Sequence, residues 1–406
     1  MTTQATTTRP LRLGFPVKVM GNPELKSNDT RRWQKNPHLK TSLEYLDAIL
    51  DYLAARKIGM YRMSSDLAPY ATHPDMPQFH SMVADSDAEL AALGRRAREL
   101  DIRLSFHPSQ YVLLNSPDPS LTAKSIWDLS SQAEMLDRME LGPEAVLVTH
   151  VGGTYGDTEA SRARWAETWP TLPEHVRRRL VLENDDLRFS AADVLWVHER
   201  TGVRLIFDYQ HFWCLNPERL DMVPTFRRIL RSWPEGVRPK MHFSSPRTEF
   251  RSLQRVDRKT KRKKTVQQPP IWTGHADFTN PFEFARFMRD CEGMEFDVML
   301  EGKAKDISLL KLRPDLLRYA PDVAARFGVT AAGAPELEAE EAALETDAAA
   351  AANDAEVDEA ADQLLTRARA AGLGWEDLLG LLGRRRDLLE GPPAPAGPGT
   401  GSAPRR

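Results

Sequence analysis

Between Leu11 and about Val329 the chain alternates short β-branched or apolar runs with longer stretches patterned for helices. The runs are LRLGFPV (11–17), IGMYRMS (58–64), IRLSFH (102–107), AVLVTHV (145–151), RLVLEN (179–184), VRLIFD (203–208), PKMHFSS (239–245) and DVMLEG (297–302). Amphipathic segments such as SLEYLDAILDYLAARK, DAELAALGRRARELD and SAADVLWVHERTG lie between them. Their apolar residues recur every three or four positions, and Ser86 or Asp87 and Ser190 are candidate N-caps. Strands alternating with helices specify βα units and a parallel sheet. Eight such units predict an α/β fold, a (β/α)8 TIM barrel rather than an open doubly wound sheet. No G-x-G-x-x-G follows a strand, and no P-loop is present.

The carboxyl ends of these runs carry the chemistry. LSFH ends in His107, LVTH in His150, LVLE in Glu183 and LIFD in Asp208; His242 lies in KMHF and Glu301 directly follows the last run. The second run ends in Ser64 and Ser65. In a parallel barrel these ends converge on the face where active sites sit. Asp208 and His211 are three residues apart and can both turn inward, while Lys240 and His242 share one face of a strand. His275, in GHADF, can fold back over the same mouth. Any one of these residues is more often a hydrogen-bonded structural side chain than a ligand. Six such groups ending six of eight strands are hard to obtain by accident. Imidazoles and carboxylates gathered so closely call for cations, and mixed N/O donors suit Mn, Zn or Fe. His38, His73, His80, His175 and His198 fall in loops or on helix faces and read as structural.

Charge adds the second clue. The net charge of −3 conceals eleven acidic residues and no basic one between Glu336 and Asp362. It also conceals nine basic residues against two acidic ones between Arg247 and Lys264. A solvated basic loop is the plain interpretation; contact with a polyanion is the functional one. A site for two or three divalent ions is suited to phosphoryl chemistry. Together the two features point to a phosphodiester in nucleic acid. Gln110 and Tyr111 stand directly beyond His107 in HPSQYVLLN, where an amide and an aromatic ring can enter a duplex and fill the gap left by extruded bases.

Composition bounds the rest. No stretch approaches the roughly 20 apolar residues of a membrane span. MTTQATTTRP lacks the apolar region of a signal peptide. Two cysteines, Cys214 and Cys291, cannot build a disulfide framework, so a reducing cytoplasm is expected. The expected organisation is a disordered 1–10 and a barrel at 11–330, with a basic insertion at 247–274 after the seventh strand. An acidic Ala/Glu-rich linker (331–362), a small helical segment (363–390) and a disordered Pro/Gly tail (391–406) form a partly disordered C-terminal extension.

HPSQYVLLNS, THVGGTYGD, LENDD, FDYQHF, KMHFSS and LEGKAKD, in that order over about residues 11–320, resemble the UV damage endonuclease family. That family belongs to the xylose-isomerase-like barrels and is related to endonuclease IV. The resemblance implies a DNA-repair hydrolase that needs no ATP and nicks the strand immediately 5′ to a UV photoproduct, leaving a 3′-hydroxyl and a 5′-phosphate. It implies two or three divalent ions, commonly manganese with zinc or magnesium as alternatives, held by His107, His150, Glu183, Asp208, His211, His242, His275 and Glu301. Glu183, Lys240 and Glu301 take the catalytic assignments, and Lys240 stands where some members carry a lysine carbamate. Gln110, Tyr111 and Phe15 fall on lesion-probing positions; relatives often have Tyr where Phe15 stands, so the polar hydroxyl is missing there. The resemblance assigns no firm role to the insertion. Its Arg251, Arg255, Arg258, Lys259, Lys261, Arg262, Lys263 and Lys264 are expected to contact the DNA backbone. The expected partner is damaged double-stranded DNA, met by a monomer at the nucleoid with no membrane involved, and the acidic tail could shield the basic loop or bind a protein.

Three other functions compete. An endonuclease-IV-like abasic-site nuclease with zinc is disfavoured by Gln110, Tyr111 and Lys240. A metal-dependent sugar isomerase or epimerase on the same barrel is disfavoured by the insertion and the probing pair. A binding protein without catalysis is disfavoured by the full ligand set, whose groups would be costly to bury unpaired.

Overall fold

The structure is a computed structural model that describes residues 9–256, 262–333 and 337. Arg258, Lys259 and Lys261 lie outside the described residues, as do residues 1–8 and, apart from Leu337, the extension beyond 333. Arg9 and Pro10, expected to be disordered, are held by Arg238, which donates to both carbonyls at 2.8 and 2.9 Å.

Each of the eight runs contributes a strand. They are β1 (Leu13–Pro16), β2 (Met60–Arg62), β3 (Arg103–Ser105), β4 (Leu147–His150), β5 (Leu180–Glu183), β6 (Arg204–Ile206), β7 (Lys240–Phe243) and β12 (Asp297–Leu300). All neighbouring pairs are parallel. The ladders form two arcs, β3-β2-β1-β12-β7 and β4-β5-β6. Single parallel bridges at Phe106–Leu147 and Asp208–His242 join the arcs. At the first seam Phe106 N–H donates to the Val146 carbonyl and its own carbonyl accepts from Val148 N–H, both at 3.0 Å; at the second His242 N–H donates to Phe207 O at 2.9 Å. The sheet therefore closes into a (β/α)8 barrel.

Helices cover its outside because each buries one apolar stripe. In α1 (Leu39–Ala55) the stripe includes Leu43, Leu46, Leu50 and Leu53. Before α2 (Asp87–Glu99) the expected side-chain cap is absent: the Ser86 hydroxyl turns back to the Met82 carbonyl at 2.8 Å, continuing a preceding 3-10 turn. Next come α3 (Pro119–Arg138) after β3, and α4 (Thr158–Thr168) and α5 (Glu174–Arg177) after β4. The helix α6 (Ala191–Thr201) begins with the capping box of Ser190 and Asp193 and ends at Gly202, whose φ of 72° is the left-handed conformation that glycine adopts without strain.

Inside the barrel, alternation sorts the side chains into tiers. Val146, Val148, Val181, Ile206 and Trp233 form an apolar cluster separate from the helix-facing core. Below them Arg103 and Asp297, both buried, are paired at 2.9 Å. Gly14, on β1, faces Met60 so closely that a Cβ would lie 2.5 Å from the Met60 carbonyl oxygen. Two positions on from Val148, Val181 and Ile206 stand His150, Glu183 and Asp208, and that upper tier is the site.

The insertion after β7 is more ordered than a solvated loop. Its strands are β8 (Pro246–Arg247), β9 (Arg251–Val256), β10 (Lys263–Gln268) and β11 (Ile271–His275). The first pairs with β11 and the middle two with each other, all antiparallel. Among the described residues no helix is long and apolar enough to cross a membrane.

Candidate metal centre at the barrel mouth

Glu183 is the centre of the upper tier. It ends β5 and is fully buried, with one carboxylate oxygen 2.7 Å from His242 Nδ1 and the other 3.2 Å from His107 Nε2. His150 Nε2 and His211 Nδ1 lie 3.7 and 3.8 Å from the same carboxylate. Asp208 closes one side of the ring as the N-cap of α7 (Tyr209–Cys214), and its Oδ1 accepts from His211 N–H at 2.8 Å. Asn184 buckles β5 to β6 by accepting from Asp208 N–H and donating to its carbonyl. On the other side Glu301 lies 3.4 Å from His242 and 3.9 Å from His275. The rings of His211 and His275 meet edge to face at 5.8 Å. All eight expected ligand residues thus occupy one cluster.

Its electrostatics are those of crowded groups sharing protons. Burial would raise the Glu183 and Glu301 carboxyls, but His242 and His150 around Glu183, and Arg62 and His242 beside Glu301, hold both well below the usual range. Asp208 is pushed up to about 8 by burial, with Glu183 and Glu301 adding to the rise and His211, 3.7 Å away, opposing it. Burial alone would lower His211, yet Asp208, Glu183 and Glu301 raise it to about 9. His275 falls to about 3 through burial and stays neutral.

Among the described residues, four buried atoms of this cluster have no hydrogen-bond partner: His150 Nδ1, Asp208 Oδ2, His242 Nε2 and His275 Nδ1. Orphaned buried acceptors cost of order 1–3 kcal/mol each, so their concentration at one place suits a bound cation. Two donor groups are compact enough to hold an ion, with all atoms within 4.8 Å of one another: His107–His150–Glu183 and Glu183–Asp208–His242. Glu183 belongs to both groups. The residues present fit divalent metal.

Two residues before His242 on β7, Lys240 is fully buried and donates to Ser105 Oγ at 3.0 Å. Burial, then Arg103 and Arg62, push its amine well below the ordinary lysine range. The Arg62 guanidinium is paired with Glu301 inside the mouth. Sequence reading missed both Arg62 and Ser105. Carrying the two-residue alternation of β2 and β3 inward from Met60 and Arg103 exposes them. Ser64 and Ser65, read as the end of the second strand, instead serve the turn after it: Ser64 Oγ accepts from Asp66 N–H, and the Ser65 carbonyl accepts from Gln132.

Gln110 and Tyr111 are both exposed, on the loop between β3 and α3, with Tyr111 41% exposed. Phe15 is a correction. It is fully buried, edge-on to Tyr61 at 5.4 Å, on the helix-facing side of β1, and has no face to offer a base. Directly after it Val17 adopts φ 63°, strained for a β-branched residue, and its carbonyl accepts from Ser27 Oγ at 3.1 Å and from the Tyr61 hydroxyl. Of the histidines read as structural, His38 caps α1 and His198 bonds the Val203 carbonyl at 2.7 Å. Arg251, Arg255, Arg262, Lys263 and Lys264 lie on or beside the β9–β10 hairpin, and Arg251 pairs with Asp277 at 3.0 Å.

The fold and this site define a parallel barrel with a carboxylate–imidazole cluster at its catalytic face. The model of the family described as UV-endonuclease UvdE matches residues 24–326, and the chain belongs to that family. A UV DNA damage endonuclease of Bacillus velezensis is 32% identical over 268 residues, covering 66% of this chain and 78% of its own length. One from Bacillus cereus strain B4264 is 30% identical over 312 residues, covering 74% and 89%. The crystal structure of SacUVDE superposes with a TM-score of 0.63 at 30% identity, over 76% of this chain and 98% of that one.

Proposed function

We propose that this endonuclease acts in DNA repair, nicking duplex DNA immediately 5′ to UV photoproducts and leaving a 3′-hydroxyl and a 5′-phosphate without ATP. The observation that carries the reading is the cluster of eight candidate ligands centred on Glu183, with buried unpartnered atoms, together with exposed Gln110 and Tyr111 on the loop that follows His107. His107, His150, Glu183, Asp208, His211, His242, His275 and Glu301 would hold two or three divalent ions, manganese for preference. When bound, such ions lower the pKa of water at the site and neutralise charge at the departing oxygen.

The chain's own groups do the rest. Asn184 accepts from Asp208 N–H at 2.8 Å and so fixes where that carboxylate sits. The Asn184 carbonyl meets His211 Nδ1 at 3.0 Å, which fixes the ring. The Arg62 guanidinium supplies positive charge where a phosphate would lie. Burial holds the Lys240 amine well below the ordinary lysine range, which favours the free amine; that form adds to carbon dioxide with loss of a proton, and the carbamate would be an anionic ligand. Gln110 and Tyr111 would enter the stack at the lesion, and the basic hairpin would hold the backbone. On this reading the enzyme works in the cytoplasm at the nucleoid, and as a monomer.

The test is incision of a duplex carrying one defined photoproduct, with both product ends analysed. A single nick 5′ to the lesion with a polymerase-extendable 3′ end is expected. Cleavage confined to abasic duplex would favour the zinc nuclease, and no cleavage of either would overturn the reading.

A further inference from the structure

We propose that the β9–β10 hairpin is a DNA-reading ribbon that lies in the major groove of the duplex beside the incised bond. This rests on the nuclease reading above and adds a second contact surface, distinct from the metal centre and from Gln110 and Tyr111. The two strands pair only with each other among the described residues, six residues against six. At about 3.4 Å per residue the ribbon extends roughly 20 Å. A lone hairpin is marginal in water, so one that projects from a barrel is served by a partner.

Register divides its side chains cleanly. Leu253 faces Val266 and Arg255 faces Lys264 on one side, where the apolar pair is half-buried and Arg251 is tied to Asp277. The opposite side carries Ser252 facing Gln267, Gln254 facing Thr265 and, toward the tip, Val256 facing Lys263, all exposed. Ser252 Oγ donates to Gln267 Oε1 and Gln254 Nε2 donates to Thr265 Oγ1, each at 2.9 Å. Hydroxyls and carboxamides bind phosphates as lysine and arginine do, but lysine and arginine stand elsewhere on this arm. This row of hydroxyls and carboxamides offers the donors and acceptors that match base edges. Arg255, Arg262, Lys263 and Lys264 stand toward the tip, where phosphates line the walls of a groove. B-DNA's major groove admits a two-stranded ribbon.

The root of the arm is fixed at the site. The last strand of the insertion ends in His275, within the donor ring. Gln210 on α7 donates to the Trp272 and Gly274 carbonyls at 2.9 and 3.0 Å and accepts from Ser244 at 2.6 Å. A ribbon anchored there reaches about six base pairs from the scissile phosphate, given roughly 34 Å per turn of about ten pairs.

Dimethyl sulfate, which methylates guanine N7 in the major groove, is the probe. The full chain is bound to a photoproduct duplex labelled on the undamaged strand. Guanines within about six base pairs on one side of the lesion should be protected. Gln254→Ala with Gln267→Ala should expose them and raise Kd by at least about fivefold. Replacing residues 252–267 by a short Gly-Ser turn should do the same. Unprotected guanines under the native chain, or unchanged protection in both variants, would overturn the ribbon while leaving incision standing. A native chain that binds and nicks no irradiated duplex overturns the nuclease reading itself, and the ribbon with it. A hairpin that binds a protein instead, leaving the footprint unaltered, would also overturn it.

Discussion

Glu183 touches His242 with one oxygen and His107 with the other, so removing its charge disturbs both candidate ion positions at once. Glu183→Gln, and Asp208→Asn beside it, should cut incision by at least about a hundredfold, since even outer partners of metal ligands cost 10–100-fold. Circular dichroism should show the fold retained; full nicking by either variant would contradict the assignment. Tyr111→Ala removes a stacking face worth about 1–3 kcal/mol. The preference for irradiated over undamaged duplex should fall roughly five- to a hundredfold in a competition assay, and equal decreases on both substrates would end the probing role. At this scale the strand-end donors were legible, because a parallel barrel brings its carboxyl ends together. Arg62 and Ser105 follow only once β2 and β3 are given the inward phase of Met60 and Arg103, and Asn184, just past the end of β5, carries no strand pattern to reveal its bonds to Asp208. Phe15 misled for a related reason: position along β1 says nothing of whether the ring faces the mouth or the helices.

At the scale of elements, the eight strands were legible from their apolar runs, and helices α1, α2 and α6 from their periodicity. The β9–β10 hairpin was not. Basic residues interrupt its alternation, leaving Leu253 and Val266 as one cross-strand apolar pair. Deleting Arg251–Lys264 should flatten the salt dependence of DNA binding, changing the slope of log K against log salt by about 0.9 for every phosphate the chain no longer neutralises. An unchanged slope, measured by fluorescence anisotropy from low to high salt, would exclude the hairpin from the DNA backbone. Ser86 teaches a smaller lesson. A serine before a helix is an N-cap only when the preceding backbone is extended, and here a 3-10 turn runs straight into α2.

For the molecule as a whole, closure of the barrel and assembly of the site are one event. The seam between β6 and β7 is the Asp208–His242 bridge, so the residues that complete the cylinder also carry donors of the ring. That coupling explains why the fold class could be read from eight repeated units while the ring's geometry could not. Distances depend on the stagger of strands separated by long stretches of sequence. It also sets a pH dependence. Asp208 at about 8 and His211 at about 9 retain protons at neutral pH in the metal-free chain, and ligands must shed them. Affinity for divalent ions should therefore rise with pH up to about 9, with proton release seen by calorimetry in buffers of differing ionisation enthalpy. Affinity that is flat or falling over that range would contradict the assignment of these two groups. The most direct measurement of the metal centre pairs elemental analysis of the purified chain with incision of one defined photoproduct, before and after chelation. Two or three divalent ions per chain are expected, with activity abolished on their removal and restored by manganese. A chelated protein free of metal that still nicks at the full rate would contradict the assignment of the donor ring.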